Sequence, residues 1–157
     1  MHELKYQAWL HDEKQIVNVI EINTFDKFIS YYDISHCKDD AEIFDFIRSN
    51  SPNADCPFER CSLRTYIGLN DKNKIEMYTR DIVEGFNNRF VIEYGINRIK
   101  KVAYDDEIVE VDVPGFYFRS LIYNDKVYPI VGDLSGLEVI GNIDANPELL
   151  EVKRVER

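Results

Sequence analysis

From Cys61 to Ile143 the chain repeats one pattern: a short run of β-branched and aromatic residues closed by an Asx- or glycine-bearing turn. No other feature constrains the fold as much. Residues of this kind suit a pleated, half-buried surface, and turns this close together make consecutive strands antiparallel neighbours. The expected strands are Ser62–Gly68, Ile82–Glu84, Arg89–Ile96, Arg98–Tyr104, Glu107–Val113, Phe116–Tyr123, Lys126–Val131 and Leu137–Ile143. Turns are expected at Asn70–Lys74, Gly85–Asn88, Pro114-Gly115 and Asn124-Asp125. Many short strands at this spacing favour a small barrel or sandwich.

The chain opens differently. Leu4, Tyr6 and Ala8 alternate with Glu3, Lys5 and Gln7, and Trp9 closes the run as an expected core anchor. His11–Lys14 reads as a turn and Gln15–Ile22 as the second strand of a hairpin. Thr24–Tyr32 suits a helix, by the spacing of Phe25, Phe28, Ile29 and Tyr32, as well as it suits a strand. Asp39–Ser49 is the clearest helix: Asp39 or Asp40 caps it, and Ile43, Phe46 and Ile47 share a face. Asn50–Asn53 ends it, and a loop is expected to run to about Arg60. At the other end Asn146 reads as an N-cap with Pro147 at the first position of a short helix.

At 157 residues the chain is one domain, with a possible N-terminal part over residues 1–60 and a β part over 61–157. A domain of this size buries roughly 68–70% of its unfolded surface, enough for a core without disulfides or metal. The 29 acidic side chains outnumber 19 basic ones, for a net charge of −10, so the chain repels phosphate backbones at long range. The stretch from Met1 to Gln7 has neither the basic nor the apolar region of a secretory signal, and no apolar run nears the ~20 residues of a spanning helix. With three cysteines, an odd number, the expectation is a reducing cytoplasm and no membrane.

Candidate chemistry is sparse. His36, Cys37, Cys56 and Cys61 are zinc-ligand types, but their spacing is not that of paired knuckles, and unpaired thiols are the default expectation beside a Cys56–Cys61 bridge. The acidic pairs Asp39-Asp40 and Asp105-Asp106 read as solvated turn or helix-start charges rather than a cation site. No nucleophile elbow or phosphate loop occurs. The expectation is no catalytic, metal or cofactor residue. Arg89, Arg98, Lys100 and Lys101, with Phe90, Tyr94 and Tyr104 nearby, form the one candidate nucleic-acid surface, set against the plainer reading of ordinary strand alternation.

Three blocks resemble the YopX-like family of bacteriophage and prophage proteins. They are Glu3-Leu4-Lys5-Tyr6-Gln7-Ala8-Trp9, then Thr65-Tyr66-Ile67-Gly68-Leu69-Asn70-Asp71-Lys72-Asn73 running on to Asp81-Ile82-Val83, then Leu137-Glu138-Val139-Ile140-Gly141-Asn142-Ile143 with Asn146-Pro147-Glu148-Leu149-Leu150. The resemblance implies a mainly β fold with minor α, a small SH3-like barrel or coiled β-sheet meander, a phage or prophage setting and no settled biochemical function. Thr79-Arg80 and Lys74 stand where the family usually carries glycine-bearing turns, which puts local turn geometry in question. Trp9, Tyr66, Gly68, Leu69, Asp71, Asp81, Ile82, Val83, Gly141, Asn142, Asn146 and Pro147 read as scaffold, with Tyr66, Leu69, Ile82 and Val83 giving apolar faces. The functional expectation is a non-enzymatic domain of the bacterial host cytoplasm that self-associates or binds a phage or host protein. The alternatives are a nucleic-acid accessory protein or an acidic inhibitor of a host nucleic-acid enzyme.

Overall fold

A computed structural model describes residues 4–103, 105–123, 126–130 and 133–153, with the backbone alone at 97 and 99–102. Two compact units divide the chain, the first ending at Thr65 and the second beginning at Tyr66. In the first, β1 (Tyr6–Leu10) and β2 (Gln15–Asn23) form the expected hairpin through a turn in which Lys14 takes φ 53°. The ambiguous segment resolves into a turn and β3 (Phe28–Tyr31), α1 covers Asp40–Ser49, and β4 is Ala54–Pro57. The sheet runs β4-β3-β2-β1 and is completed by the first half of β5 (Cys61–Asn70), through Thr65.

The expected loop before Arg60 is therefore not a loop. Ala54–Pro57 pairs with β3 in register Phe28↔Pro57 through Tyr31↔Ala54, and a turn of 3-10 helix, Phe58–Arg60, follows. Trp9 also departs from expectation. Ala8 and Leu10 are fully buried with Ile29, Tyr31, Cys56 and Cys61, so alternation along β1 turns Trp9 to the other face, where it is half-buried. Helix α1 is capped as expected: Asp39 Oδ1 accepts from the Glu42 amide at 2.9 Å. The Glu42 carboxylate in turn accepts from the Lys38 amide at 2.8 Å.

In the second unit, β5 continues and pairs with β6 (Glu76–Tyr78) across a register shift between Tyr66 and Asn70, where Gly68 takes φ 86°. That bulge decides which side chain enters the core. Ile67 is buried, while Leu69, expected on an apolar face, is 41% exposed. The main sheet contains β7 (Asp81–Gly85), β8 (Asn88–Val102), β9 (Ile108–Ser120), β10 (Val127–Pro129) and β11 (Glu138–Asn142), in order β10-β9-β8-β7-β11. Its two edges, β10 and β11, do not pair among the described residues, so the sheet is an open meander rather than a closed barrel. One side packs Ile67, Met77, Val83, Phe90, Ile92, Phe118 and Leu137; Ile82, Val91 and Leu121 form a smaller cluster with Ile143 and Leu149.

Two expected breaks in the meander are absent. Arg89–Ile96 and Arg98–Tyr104 merge into β8, and Pro114-Gly115 lies inside β9 instead of turning the chain. Backbone polarity explains the proline. The Arg89 carbonyl faces β9, accepting from Leu121, while the Ile92 carbonyl faces away, accepting from Arg80. Odd-numbered residues of β8 therefore bond across to β9, and Pro114, opposite Ile96, falls at a position whose nitrogen points outward. It costs the ladder no hydrogen bond. At the C-terminal end, Pro147–Leu150 is a 3-10 turn that Asn146 does not cap; the Asn146 side-chain oxygen instead accepts from the Asn142 amide at 3.3 Å. Tyr104, Asn124, Asp125 and Val131 lie outside the described residues.

Candidate interaction surface

The second and third family-like blocks of the sequence support one another. Asp71, 6% exposed, accepts the amides of Asn73 and Ile75 on one oxygen and that of Val139 on the other, at 2.8–2.9 Å. Burial opposes its charge, but those three donors, with Lys72 nearby, hold the carboxyl below its ordinary value. Asp81, also buried, accepts from the Tyr78 amide at 2.8 Å. Asn142 caps the next turn through the amides of Asp144 and Ala145. Gly141 leaves room for that turn, since a Cβ there would stand 2.5 Å from Asn146 Oδ1 and 2.8 Å from a Leu149 methyl.

Both positions where glycine was expected keep the glycine-like conformation: Lys74 has φ 65° and Arg80 φ 75°. At Arg80 the surroundings hold it there. Its amide donates to Ile92, its carbonyl accepts from Ile143, and its guanidinium grips both oxygens of Asp144 at 2.9 and 2.7 Å. These contacts are architectural, and they join Lys72–Arg80 to β11 and the segment after it.

Among the described residues the thiols and histidines do not gather into one cluster. Cys56 and Cys61 lie in the first unit's core and Cys37 is half-exposed beside His36; all three are free thiols. Burial, with Cys56 adding to it, pushes the Cys61 thiol up to about 11. Among the described residues no group of three or more His, Cys, Asp or Glu is placed to hold a metal ion. Sequence reasoning missed one pair, His11 Nε2 and Ser62 Oγ at 2.9 Å, which only the β1–β5 register Leu10↔Cys61 brings together. No described carboxylate orients that imidazole, as general-base chemistry at a serine requires. Between β2 and the segment after β3, a groove of about 360 Å³ is lined by Ile16, Ile20, Tyr32, Ile34 and Ile47 among others.

The basic cluster lies on β8, but its arginines are already engaged. Arg89 is bonded to Glu84 at 2.6 and 2.9 Å and to the Leu149 carbonyl. Arg98 bonds to Asp112 at 3.0 Å and lies 3.9 Å from Glu110. In the register Lys100 faces Glu110 and Lys101 faces Val109; the side chains of both lysines lie outside the described residues. Glu93, Asp105, Asp106, Glu107, Glu110 and Asp112 outnumber the bases on this ribbon. Its electrostatics therefore suit an anionic polymer poorly.

The ribbon's backbone is its more informative feature. β7 pairs with β8 only from Asn88 to Val91, and β10 pairs with β9 only from Tyr117 to Arg119. Beyond those limits, β8 and β9 run on as a two-stranded ribbon from Tyr94↔Phe116 to Val102↔Ile108, and among the described residues neither outer edge is paired. At the usual rise the free stretch of β8 is about 33 Å long. Tyr94 (64% exposed) and Ile96 (66%) lie along it, Ile108 (72%) lies on β9 opposite Val102, and Tyr94 packs edge-on to Phe116. The two edges differ. On β9 the outward positions include Pro114, which has no N–H, and Glu110 and Asp112. On β8 they are Tyr94, Ile96, Arg98, Lys100 and Val102, all with N–H groups. Proline and inward or lateral charge are the usual guards of a free edge, and β8 lacks the proline. Sequence reasoning missed this edge because it placed a break before Arg98.

The family model described as YopX protein matches residues 5–151. The fold is similar to the crystal structure of protein EF1440 from Enterococcus faecalis, with a TM-score of 0.51 at 17% identity over 96% of this chain and 100% of that one. No curated protein sequence matches.

Proposed function

The chain belongs to the YopX protein family, and from that footing we propose that it is a non-enzymatic interaction domain that takes a protein partner along the free edge of β8. One observation carries this reading: a two-stranded ribbon with exposed Tyr94, Ile96 and Ile108 whose β8 edge is unpaired among the described residues and carries no proline. An isolated two-stranded ribbon is marginally stable in water, and an open apolar edge recruits another strand unless something covers it. Strand addition satisfies the outward amides and carbonyls and buries the apolar side chains in one step. The family's bacteriophage and prophage setting and the three free thiols support action in the cytoplasm of a bacterial host. The nucleic-acid alternative is the weaker one, because Arg89 and Arg98 are spent on Glu84 and Asp112.

Light scattering on the purified chain, together with co-purification from bacterial cells, tests the reading against an Ile96→Lys/Ile108→Lys variant. Assembly or a bound partner with the native chain, lost in a folded variant, is the expected result. Identical behaviour of the two proteins would contradict it.

A further inference from the structure

We propose that the occupant of this edge is a second copy of the chain, its β8 running antiparallel to the first about a twofold axis at Asn97. The inference rests on the reading of β8 as the interaction edge and adds the partner and the register. Outward-facing N–H and C=O groups belong to the even-numbered residues of β8, as the Ile92 carbonyl bonded to the Arg80 amide shows. Two copies can exchange hydrogen bonds only if even residues face even residues. An antiparallel pairing of identical strands must then be centred on a residue, and the free stretch from Glu93 to Val102 offers few centres.

Charge chooses among them. Centring on Arg98 sets two guanidinium-bearing residues directly opposite, which is unfavourable. Centring on Ile96 leaves the strand beyond Ile99 facing residues already paired with β7. Centring on Asn97 uses the free edge from Glu93 to Lys101. Ile96 then stands opposite Arg98, Tyr94 opposite Lys100, and Glu93 opposite Lys101. Each base meets an apolar, aromatic or acidic register partner and none meets a like charge. The Glu93 carboxylate is fixed at this position by Arg119 and the Tyr117 hydroxyl, at 2.7 and 2.8 Å. The interface is isologous and closes on itself as a dimer, whereas β8 joined to β9 of another copy would be heterologous and build a larger ring or a filament.

Disulfide trapping tests the register. In a Cys37→Ser background, Asn97→Cys places two thiols at a non-hydrogen-bonded pair, where Cα atoms lie about 4.5 Å apart, within disulfide range. Mild oxidation is expected to give a covalent dimer with Asn97→Cys and none with Ile108→Cys, which lies far from the axis. Ile96→Pro removes an outward N–H and no bond to β9, so it is expected to yield a monomer with an unchanged circular dichroism spectrum. A native dimer in light scattering that dissociates on Ile96→Pro yet does not cross-link through Asn97→Cys would overturn the register and leave β8 the interaction edge, whereas one that does neither would overturn the second copy at this edge. A chain that is monomeric at every concentration yet still binds a different protein through β8 would overturn the second copy as occupant. A monomer with no partner would overturn both readings.

Discussion

Asp71 shows how one side chain can define a family block. Its two oxygens close the turn at Asn73–Ile75 and reach across to Val139, so a loop and the start of β11 share one buried charge. Asp71→Asn keeps the shape but loses an acceptor, and is expected to destabilise the fold by roughly 1–3 kcal/mol at neutral pH in urea unfolding. The pH dependence has a definite sign. Because the folded carboxyl lies below its ordinary 3.8, the stabilisation is complete above that value and is lost as pH falls through the lower folded one. The gap between native and variant chains should therefore narrow below pH 3.8; a constant gap would contradict the assignment. Lys74 and Arg80 give a second contrast. A left-handed conformation costs an L-residue about 1–2 kcal/mol, so Lys74→Gly is expected to stabilise by up to about 1 kcal/mol after the entropy of glycine is counted. Arg80→Gly should gain less or lose, because it abandons the partly buried pair with Asp144; a double-mutant cycle with Asp144→Asn reads that coupling. The turn chemistry of Asp71 was legible in the sequence, as was the demand for glycine-like geometry at both sites. That Arg80 would meet it with the help of Ile92, Ile143 and Asp144 was not, since those partners come from elements distant in sequence.

Elements were legible where local chemistry decides them and obscure where pairing does. The cap at Asp39 announces α1, and the alternation from Tyr6 to Leu10 with the polar turn after it announces the first hairpin. Ala54–Pro57 has little strand propensity; its register with Phe28–Tyr31 makes it β4. Pro114-Gly115 carries the strongest turn signal in its region, yet the proline nitrogen falls on the outward side of β9 and the strand continues. Parity errors have the same origin. Whether Trp9 or Ala8 enters the core depends on which face the first unit's sheet covers, and whether Ile67 or Leu69 does depends on a bulge at Gly68. Side-chain type alone cannot decide either case.

On the scale of the whole chain, the family blocks and the proposed interaction surface are different residues. Lys72–Val83 and Leu137–Leu150 brace the second unit, while the ribbon from Glu93 to Phe116 projects past the strands that flank it and carries no family block. The mainly β class and the family were therefore readable from the sequence, and the free edge of β8 was not, because an edge is defined by strands that fail to pair. The central claim is that β8 is covered in solution. Amide hydrogen exchange resolved along β8 tests it most directly: the outward amides of Tyr94, Ile96 and Arg98 should exchange more slowly as protein concentration rises, and those of Tyr94 and Arg98 should lose that protection in Ile96→Pro. Rapid exchange at those positions at every concentration, beside slow exchange at Gly95, whose amide faces β9, would contradict it.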